Sequence, residues 1–315
     1  MNSLYIESTG KYIPPKVVTN DDLSKMVDTS DDWIYPRTGI RRRHVNEELT
    51  CSEMGAHAAR EALDRSGMDP GDLCCLILAT ASPDTFEPAN ACAVHSMLGL
   101  PEHVLSFDIF AACPGFTVSL NVARGLLLQN PGKKALVVAS ENSSSYIDWT
   151  DRSTCVLFGD GAGAAVVSLR EEGETYFEDG TCDGFDAIQV SADPDSGNDF
   201  RVMRMKGQEV FRFAVRTLPE VIGRLLDRAG LELDDIDHFV FHQANMRIIR
   251  SVCKKMGIPE EKCFCNIEEY GNTSAASSAI VLAEMDEQGL LERGDKVMVV
   301  CFGAGLTYEG ILMDW

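Results

Sequence analysis

Cys113 stands in "FDIFAACPGF" (107–116), after an apolar run that reads as a strand and before one that reads as a helix. A free thiol titrates near pH 8.5, and a helix N-terminus favours its thiolate. Pro114 suits the first turn of such a helix, and Gly115 permits close backbone approach. The unpaired N–H groups of the same turn offer an oxyanion a place to bind. Taken alone, the segment leaves two readings level: an activated nucleophile, or a small buried thiol at a corner.

Three further stretches carry candidate chemistry. His242 ends "DHFVFHQAN", where a neutral imidazole donates one hydrogen bond or takes a proton; by itself it is more economically structural. His238 lies in the same strand-like run with no third ligand in view, so no metal is expected. Asn272 follows Gly271 in "EEYGNTS": it either shapes a turn or supplies an uncharged donor to an enolate or oxyanion. "RIIRSVCKK" packs Arg247, Arg250, Lys254 and Lys255 into residues 247–255, as a solvated helix face or as a dock for something anionic. "FGDGAGAA" (158–165) precedes a strand-like run instead of opening a helix, so it reads as close packing and not as a dinucleotide loop.

The elements that must position these residues alternate. "LCCLILATA", "KKALVVAS", "AGAAVVSL", "HFVFHQA" and "KVMVVCFGAG" read as buried strands. "SEMGAHAAREALDRSG", "TVSLNVARGLLLQN", "VFRFAVRTLPEVIGRLLDRAG" and "SAASSAIVLAEMDEQG" read as helices, with Pro219 expected to kink the third or end its first segment. The chain also repeats itself. Asp64, Gly67 and Asp72 match Asp227, Gly230 and Asp235 at a shift of 163, and Gly132 matches Gly294 at 162. Two α/β halves are expected, 1–170 and 171–315, with Cys113 corresponding to about Ala275. Equivalent strand ends then meet at a seam, where ligand sites favour strand C-termini. Cys113, His242, Asn272 and the "FGAG" loop should converge there.

Bulk properties narrow the class. With 315 residues, 45% hydrophobic and 24% charged, the chain has ample core for such a body. A net charge of −21 argues against nucleic acid as a partner. There is no run of about 18 apolar residues, and "MNSLYIESTGKYIPP" lacks the plan of a signal peptide, so neither a membrane span nor export is expected. Eleven cysteines scattered through apolar runs suit reduced thiols in a cytoplasm.

Cys113 in "AACPGF", His242 in "HQANMRII", Asn272 in "YGNTSAAS" and the loop "FGAGLTY", in that order, resemble the β-ketoacyl-acyl carrier protein synthase III family of thiolase-like condensing enzymes. The likeness runs from "YIPPKVVTNDDLSKMVDTSDDWIYPRTGIRRRH" to the C-terminus. It implies a thiolase-like α/β fold of two duplicated halves in an α-β-α-β-α layering. It implies a decarboxylating Claisen condensation of an acyl-CoA primer with malonyl-acyl carrier protein through acyl-Cys113, with no permanently bound cofactor. His242 and Asn272 would donate to the enolate, and the N–H groups of Cys113 and Ala304 would form an oxyanion hole. Trp33 and Arg37 would clamp the CoA adenine, with Arg152 as a further CoA contact. Thr29, Gly207, Phe211 and Asn245 would wall the pantetheine tunnel. Arg212, Arg247, Lys254 and Lys255 would dock an acidic carrier protein.

A homodimer is implied as well, because the family's pocket-capping residue, just before a proline, crosses the subunit interface. Here Glu87 holds that position and Phe86 precedes it, which leaves primer choice open. Pro114 stands where the family often has Ala, and Ala304 and Glu309 where it often has Gly. Cys301 sits in a "CxGxG" context like the second cysteine of thiolases, but "GNTS" is not the thiolase arrangement, so Cys301 reads as a buried strand residue. Two other functions fit parts of this pattern: a specialised-metabolite enzyme with other primers or acceptors, and a non-catalytic carrier-protein partner, which the intact Cys–His–Asn set disfavours.

Overall fold

A computed structural model describes residues 3–192 and 201–315. Two sheets form the frame. The first has the order Ser3–Tyr12, Gly161–Arg170, Lys134–Glu141, Leu73–Ala79, Leu105–Ile109. Its last three strands run parallel and its first two pair antiparallel. The second has the order Thr175–Thr181, Thr307–Asp314, Lys296–Gly303, His238–Phe241. Here the last pair, Lys296–Gly303 with His238–Phe241, is parallel and the others are antiparallel. A parallel bridge from Phe239 to Cys263 stands where the first sheet has its fifth strand.

The inner strands bury both faces, which their near-continuous apolar runs require, while the outer strands Leu105–Ile109 and Thr175–Thr181 stay partly exposed. Along Leu73–Ala79, Cys75, Ile77 and Ala79 face one core while Leu76 and Leu78 face another. Val297, Val299 and Cys301 likewise share the first of these cores, and Met298, Val300 and Phe302 turn to a third. The shared core is filled by two helices, Gly115–Gln129 and Ala276–Glu287, that lie between the sheets. Cys51–Ser66 and Asn90–Leu98 cover the outer face of the first sheet, and Gly207–Ala229 and Met246–Met256 cover that of the second. Five layers, α-β-α-β-α, result.

Local chemistry repeats between the halves. Gly67 and Gly230 both end helices in the left-handed region, at φ 62° and 67°. Pro70–Asp72 and Leu233–Asp235 are matching single 3₁₀ turns ahead of matching strands. Pro219 departs from expectation: Gly207–Ala229 is one unbroken helix of 23 residues through it. Leu218, Pro219, Val221 and Ile222 are all buried there, so packing of that face offsets the lost backbone hydrogen bond.

Candidate active site

Cys113 sits at an elbow. Ala112 adopts φ 49°, a left-handed conformation that turns the chain sharply between strand Leu105–Ile109 and helix Gly115–Gln129. The repeat holds here too, since Ser274, 162 residues on, adopts the same φ ahead of helix Ala276–Glu287. Gly115 must be glycine for contact: a Cβ there would lie 3.0 Å from the Ala79 Cβ and 3.3 Å from the Ala275 Cβ. Gly303 is tighter still. A Cβ on it would come within 2.7 Å of the Pro114 Cδ and 3.0 Å of the Cys113 amide nitrogen. The missing side chain lets the Gly303–Ala304 backbone lie directly against Cys113.

The thiol's electrostatics overturn one expectation. The helix start was expected to favour the thiolate, yet burial pushes the Cys113 thiol up to about 12, with only the Ser274 hydroxyl, 3.6 Å from Sγ, and its own backbone acting the other way. Glu141 adds to the rise by repulsion. The second half packs its loops over the thiol, and desolvation outweighs the helix terminus.

His242 follows strand His238–Phe241 and is 2% exposed. Burial pushes its imidazole down to about 3, so it is neutral throughout the physiological range. Its Nδ1 lies 2.7 Å from the Ser277 hydroxyl, which also accepts from the Gln243 N–H at 3.3 Å. We assign the Ser277 hydroxyl as donor to Nδ1, the arrangement that gives its hydrogen an acceptor and puts the ring proton on Nε2. Phe302 meets the ring edge-on at 5.5 Å. Asn272 is held by the backbone: its N–H donates to Leu157 at 2.8 Å, and its carbonyl accepts from Gly159 at 3.0 Å. Its side-chain Oδ1 accepts from the Ser274 N–H at 2.9 Å. That contact assigns the amide orientation and leaves Nδ2 as a donor. Ser277, and Ser274 with it, were not singled out from sequence, because a serine at a helix start reads as an ordinary cap.

Cys113, His242, Asn272, Ser274 and Ala304 line one cleft of about 790 Å³. Trp33, Arg37, Arg152, Gly207, Phe211 and Asn245 line it as well. The Arg37 and Arg152 guanidiniums lie 4.8 and 4.5 Å from the Trp33 ring centre, so a planar ligand stacking on Trp33 must move one of them. Helix Asp31–Thr38, capped by Ser30, carries Trp33 and Arg37, and Gly39 after it abuts Met246 at the start of the basic helix. Arg43, fully buried and unforeseen, ties this region to the cleft wall through the carbonyls of Val18 and Val156.

Other expected residues stand elsewhere. Thr29 is outside the cleft lining, with its hydroxyl buried and without a hydrogen-bond partner among the described residues. Arg212 and Arg247 are exposed beside the mouth, the Arg247 guanidinium 6.0 Å from the Phe211 ring. Lys254 and Arg250 border a separate cleft of about 450 Å³ with Cys253 and Cys263, and Lys255 is exposed on the same helix. Phe86 and Glu87 do not reach the cleft of their own chain. They project from an exposed loop, with Phe86 74% exposed under the Arg201 guanidinium. Cys301 lies buried behind the cleft against the Thr117 and Ser278 hydroxyls, and His238 pairs with Asp295 at 3.2 Å.

Layered duplicate halves around a buried Cys–His–Asn cleft define a thiolase-like condensing enzyme, an acyltransferase by class. The family models of 3-oxoacyl-[acyl-carrier-protein] synthase III match residues 107–183, and those of its C-terminal part match 226–315. The chain is 42% identical to the beta-ketoacyl-[acyl-carrier-protein] synthase III of Clostridium acetobutylicum, over 100% of this chain and 99% of that protein. It is 43% identical to that of Clostridium tetani, over 98% of each. The crystal structure of 3-oxoacyl-[acyl-carrier-protein] synthase III from Aquifex aeolicus superimposes with TM-score 0.93 at 40% identity, covering 100% of both chains. The priming beta-ketosynthase of the R1128 polyketide pathway superimposes equally well at 34% identity, covering 99% of this chain and 96% of that one. The chain belongs to the 3-oxoacyl-[acyl-carrier-protein] synthase III family.

Proposed function

We propose that this enzyme starts fatty acid synthesis by condensing an acyl-CoA primer with malonyl-acyl carrier protein. The observation that carries the reading is the single cleft shared by Cys113, His242, Asn272, Ala304 and the Trp33–Arg37–Arg152 cluster. The CoA adenine stacks at Trp33, and its pantetheine arm passes Gly207, Phe211 and Asn245. Cys113 attacks the primer thioester, while the amides of Cys113 and Ala304 hold the oxyanion and CoA leaves with the electron pair of the broken C–S bond. Malonyl-carrier protein then docks at Arg212, Arg247, Lys254 and Lys255, and its malonyl group loses CO2. The His242 Nε2–H and the Asn272 amide hydrogen-bond the enolate oxygen. The enolate carbon attacks acyl-Cys113 and expels the thiolate.

Neutral donors suit this step: a buried imidazole that stays uncharged stabilises a developing anion without surrendering its proton. No step calls for a bound cofactor. Eleven free thiols support a reducing cytoplasm, and the loop bearing Phe86 and Glu87 is proposed to cap the primer pocket of a second copy in a homodimer. The test is incubation with a panel of short, branched and longer acyl-CoAs plus malonyl-carrier protein. Release of CO2 and a 3-oxoacyl-carrier protein is expected with wild type and is lost in Cys113→Ala. Turnover without malonyl-carrier protein would favour instead the specialised-metabolite reading.

A further inference from the structure

Met246–Met256, the helix that bears Arg247, Arg250, Lys254 and Lys255, ends in a tight reversal. The Cys253 carbonyl accepts the Gly257 N–H at 2.8 Å and the Ile258 N–H at 2.9 Å, and Gly257 adopts φ 78°. The chain then returns through the single 3₁₀ turn Glu260–Lys262, where the Glu260 carbonyl accepts the Cys263 N–H at 3.0 Å. Lys262 pins this return, donating through Nζ to the carbonyls of Asp234 at 2.9 Å and Ile236 at 2.6 Å. The backbone bridge from Cys263 to Phe239 holds it on the other side. These ties bring the sulfurs of Cys253 and Cys263 to 3.4 Å, within hydrogen-bond reach of each other. Both thiols line the cleft of about 450 Å³, with Cys265, Arg250, Lys254 and Glu260 around them. Cys113, His242 and Asn272 line the other cleft, so the condensing residues make no use of this thiol pair.

We infer that Cys253 and Cys263 are a redox modification site, in which a small peroxide closes a disulfide beneath the cationic helix. The sulfurs must approach from 3.4 Å to a bond of about 2.05 Å. Cys263 lies outside helix and strand, so its side chain supplies that movement. With Cys263 as donor, the hydrogen bond between the thiols holds Cys253 below its ordinary range and favours its thiolate, while burial and the Glu260 carboxylate act the other way. The Cys253 thiolate attacks one peroxide oxygen, the O–O bond breaks, hydroxide leaves, and a sulfenic acid forms. The Cys263 sulfur attacks the sulfenic sulfur. The S–O bond breaks, and the departing hydroxide takes up the Cys263 proton as water. Two thiols and one hydrogen peroxide thus give one disulfide and two waters, the sulfur pair losing the two electrons that the peroxide gains. An added dithiol reverses the closure by exchange.

The test treats the full chain with stepwise hydrogen peroxide, blocks the remaining thiols with iodoacetamide in denaturant, and reads tryptic peptides by mass spectrometry. Cleavage after Arg250, Lys254 and Lys262 places Cys253 on residues 251–254, and Cys263 with Cys265 on a second peptide. Wild type is expected to give these two peptides cross-linked and lighter by two hydrogens before the exposed Cys92 is oxidised, and dithiothreitol should restore both. Cys265→Ser should keep the cross-link and Cys263→Ser should lose it. Fragmentation of the wild-type cross-link separates Cys263 from Cys265 if either variant does not fold. A cross-link that survives in Cys263→Ser or maps to Cys265, a sulfinic acid at Cys253 in place of the cross-link, or both thiols still reduced once Cys92 is oxidised overturns the inference.

Discussion

Gly303→Ala tests how the oxyanion hole is built. The added Cβ would stand 2.7 Å from the Pro114 Cδ and 3.0 Å from both the Cys113 Cβ and amide nitrogen, whereas ordinary contact begins at 3.4 Å. Restoring contact with Pro114 requires a retreat of 3.4 − 2.7 = 0.7 Å. Pro114 opens a buried helix and has no freedom to give, so the "FGAG" loop moves. An oxyanion donor works at about 2.7–3.1 Å, and a retreat of this size carries the Ala304 N–H beyond hydrogen-bond range. Loss of one such donor costs about 10²–10³ in rate. Overpacking a buried site costs a further ~1–3 kcal/mol of stability. Stopped-flow acylation of Cys113 should therefore slow by at least about a hundredfold, while Trp33-dependent acyl-CoA binding is unchanged. An acylation rate within threefold of wild type in a folded Gly303→Ala protein would refute this placement of the oxyanion hole.

Three other outcomes follow from the same geometry. Ser277→Ala removes the group that sets the His242 tautomer, so decarboxylation should fall about tenfold, the loss of one hydrogen bond, with Cys113 acylation spared; equal loss in both half-reactions would contradict it. Reversing charge with Arg247→Glu and Lys254→Glu should raise KM for malonyl-carrier protein in a salt-dependent way and leave acyl-CoA kinetics alone. Glu309 Oε1 accepts from the Asn121 amide at 3.1 Å, its Oε2 is buried without a partner among the described residues, and burial pushes its carboxyl up to about 8. The native state therefore keeps a proton that the unfolded chain releases above ordinary carboxylate pH, so this group's contribution to stability falls as pH rises from about 4.5 to about 8. Glu309→Gln should raise the melting temperature at pH 9 and change it little at pH 5; a shift independent of pH would contradict the assignment.

Periodicity and repetition made the frame legible. The five apolar runs read as buried strands became strands, the run before Cys113 became a partly exposed edge strand, and the 162-residue shift that pairs Cys113 with Ala275 also pairs the two left-handed residues Ala112 and Ser274. Cys113, His242 and Asn272 stood out because their types are chemically specific. What stayed hidden depends on contacts across the seam. Glu141 ends an apolar strand and reads locally as a solvated charge, yet both halves close over it. Ser274 and Ser277 look like caps until the partner atoms on Cys113 and His242 are known. The thiol's raised pKa comes from that same closure, which no local rule about helix starts contains. Pro219 was overruled in the same way, by a buried helix face that its neighbours define.

The most direct test of the central claim is the site of acylation. Wild-type protein incubated with mixed acyl-CoAs and analysed by peptide mass spectrometry should carry one acyl group, on the peptide containing Cys113, and Cys113→Ala should carry none. An adduct on another of the eleven cysteines, such as the exposed Cys92, or no adduct across the panel, would contradict it.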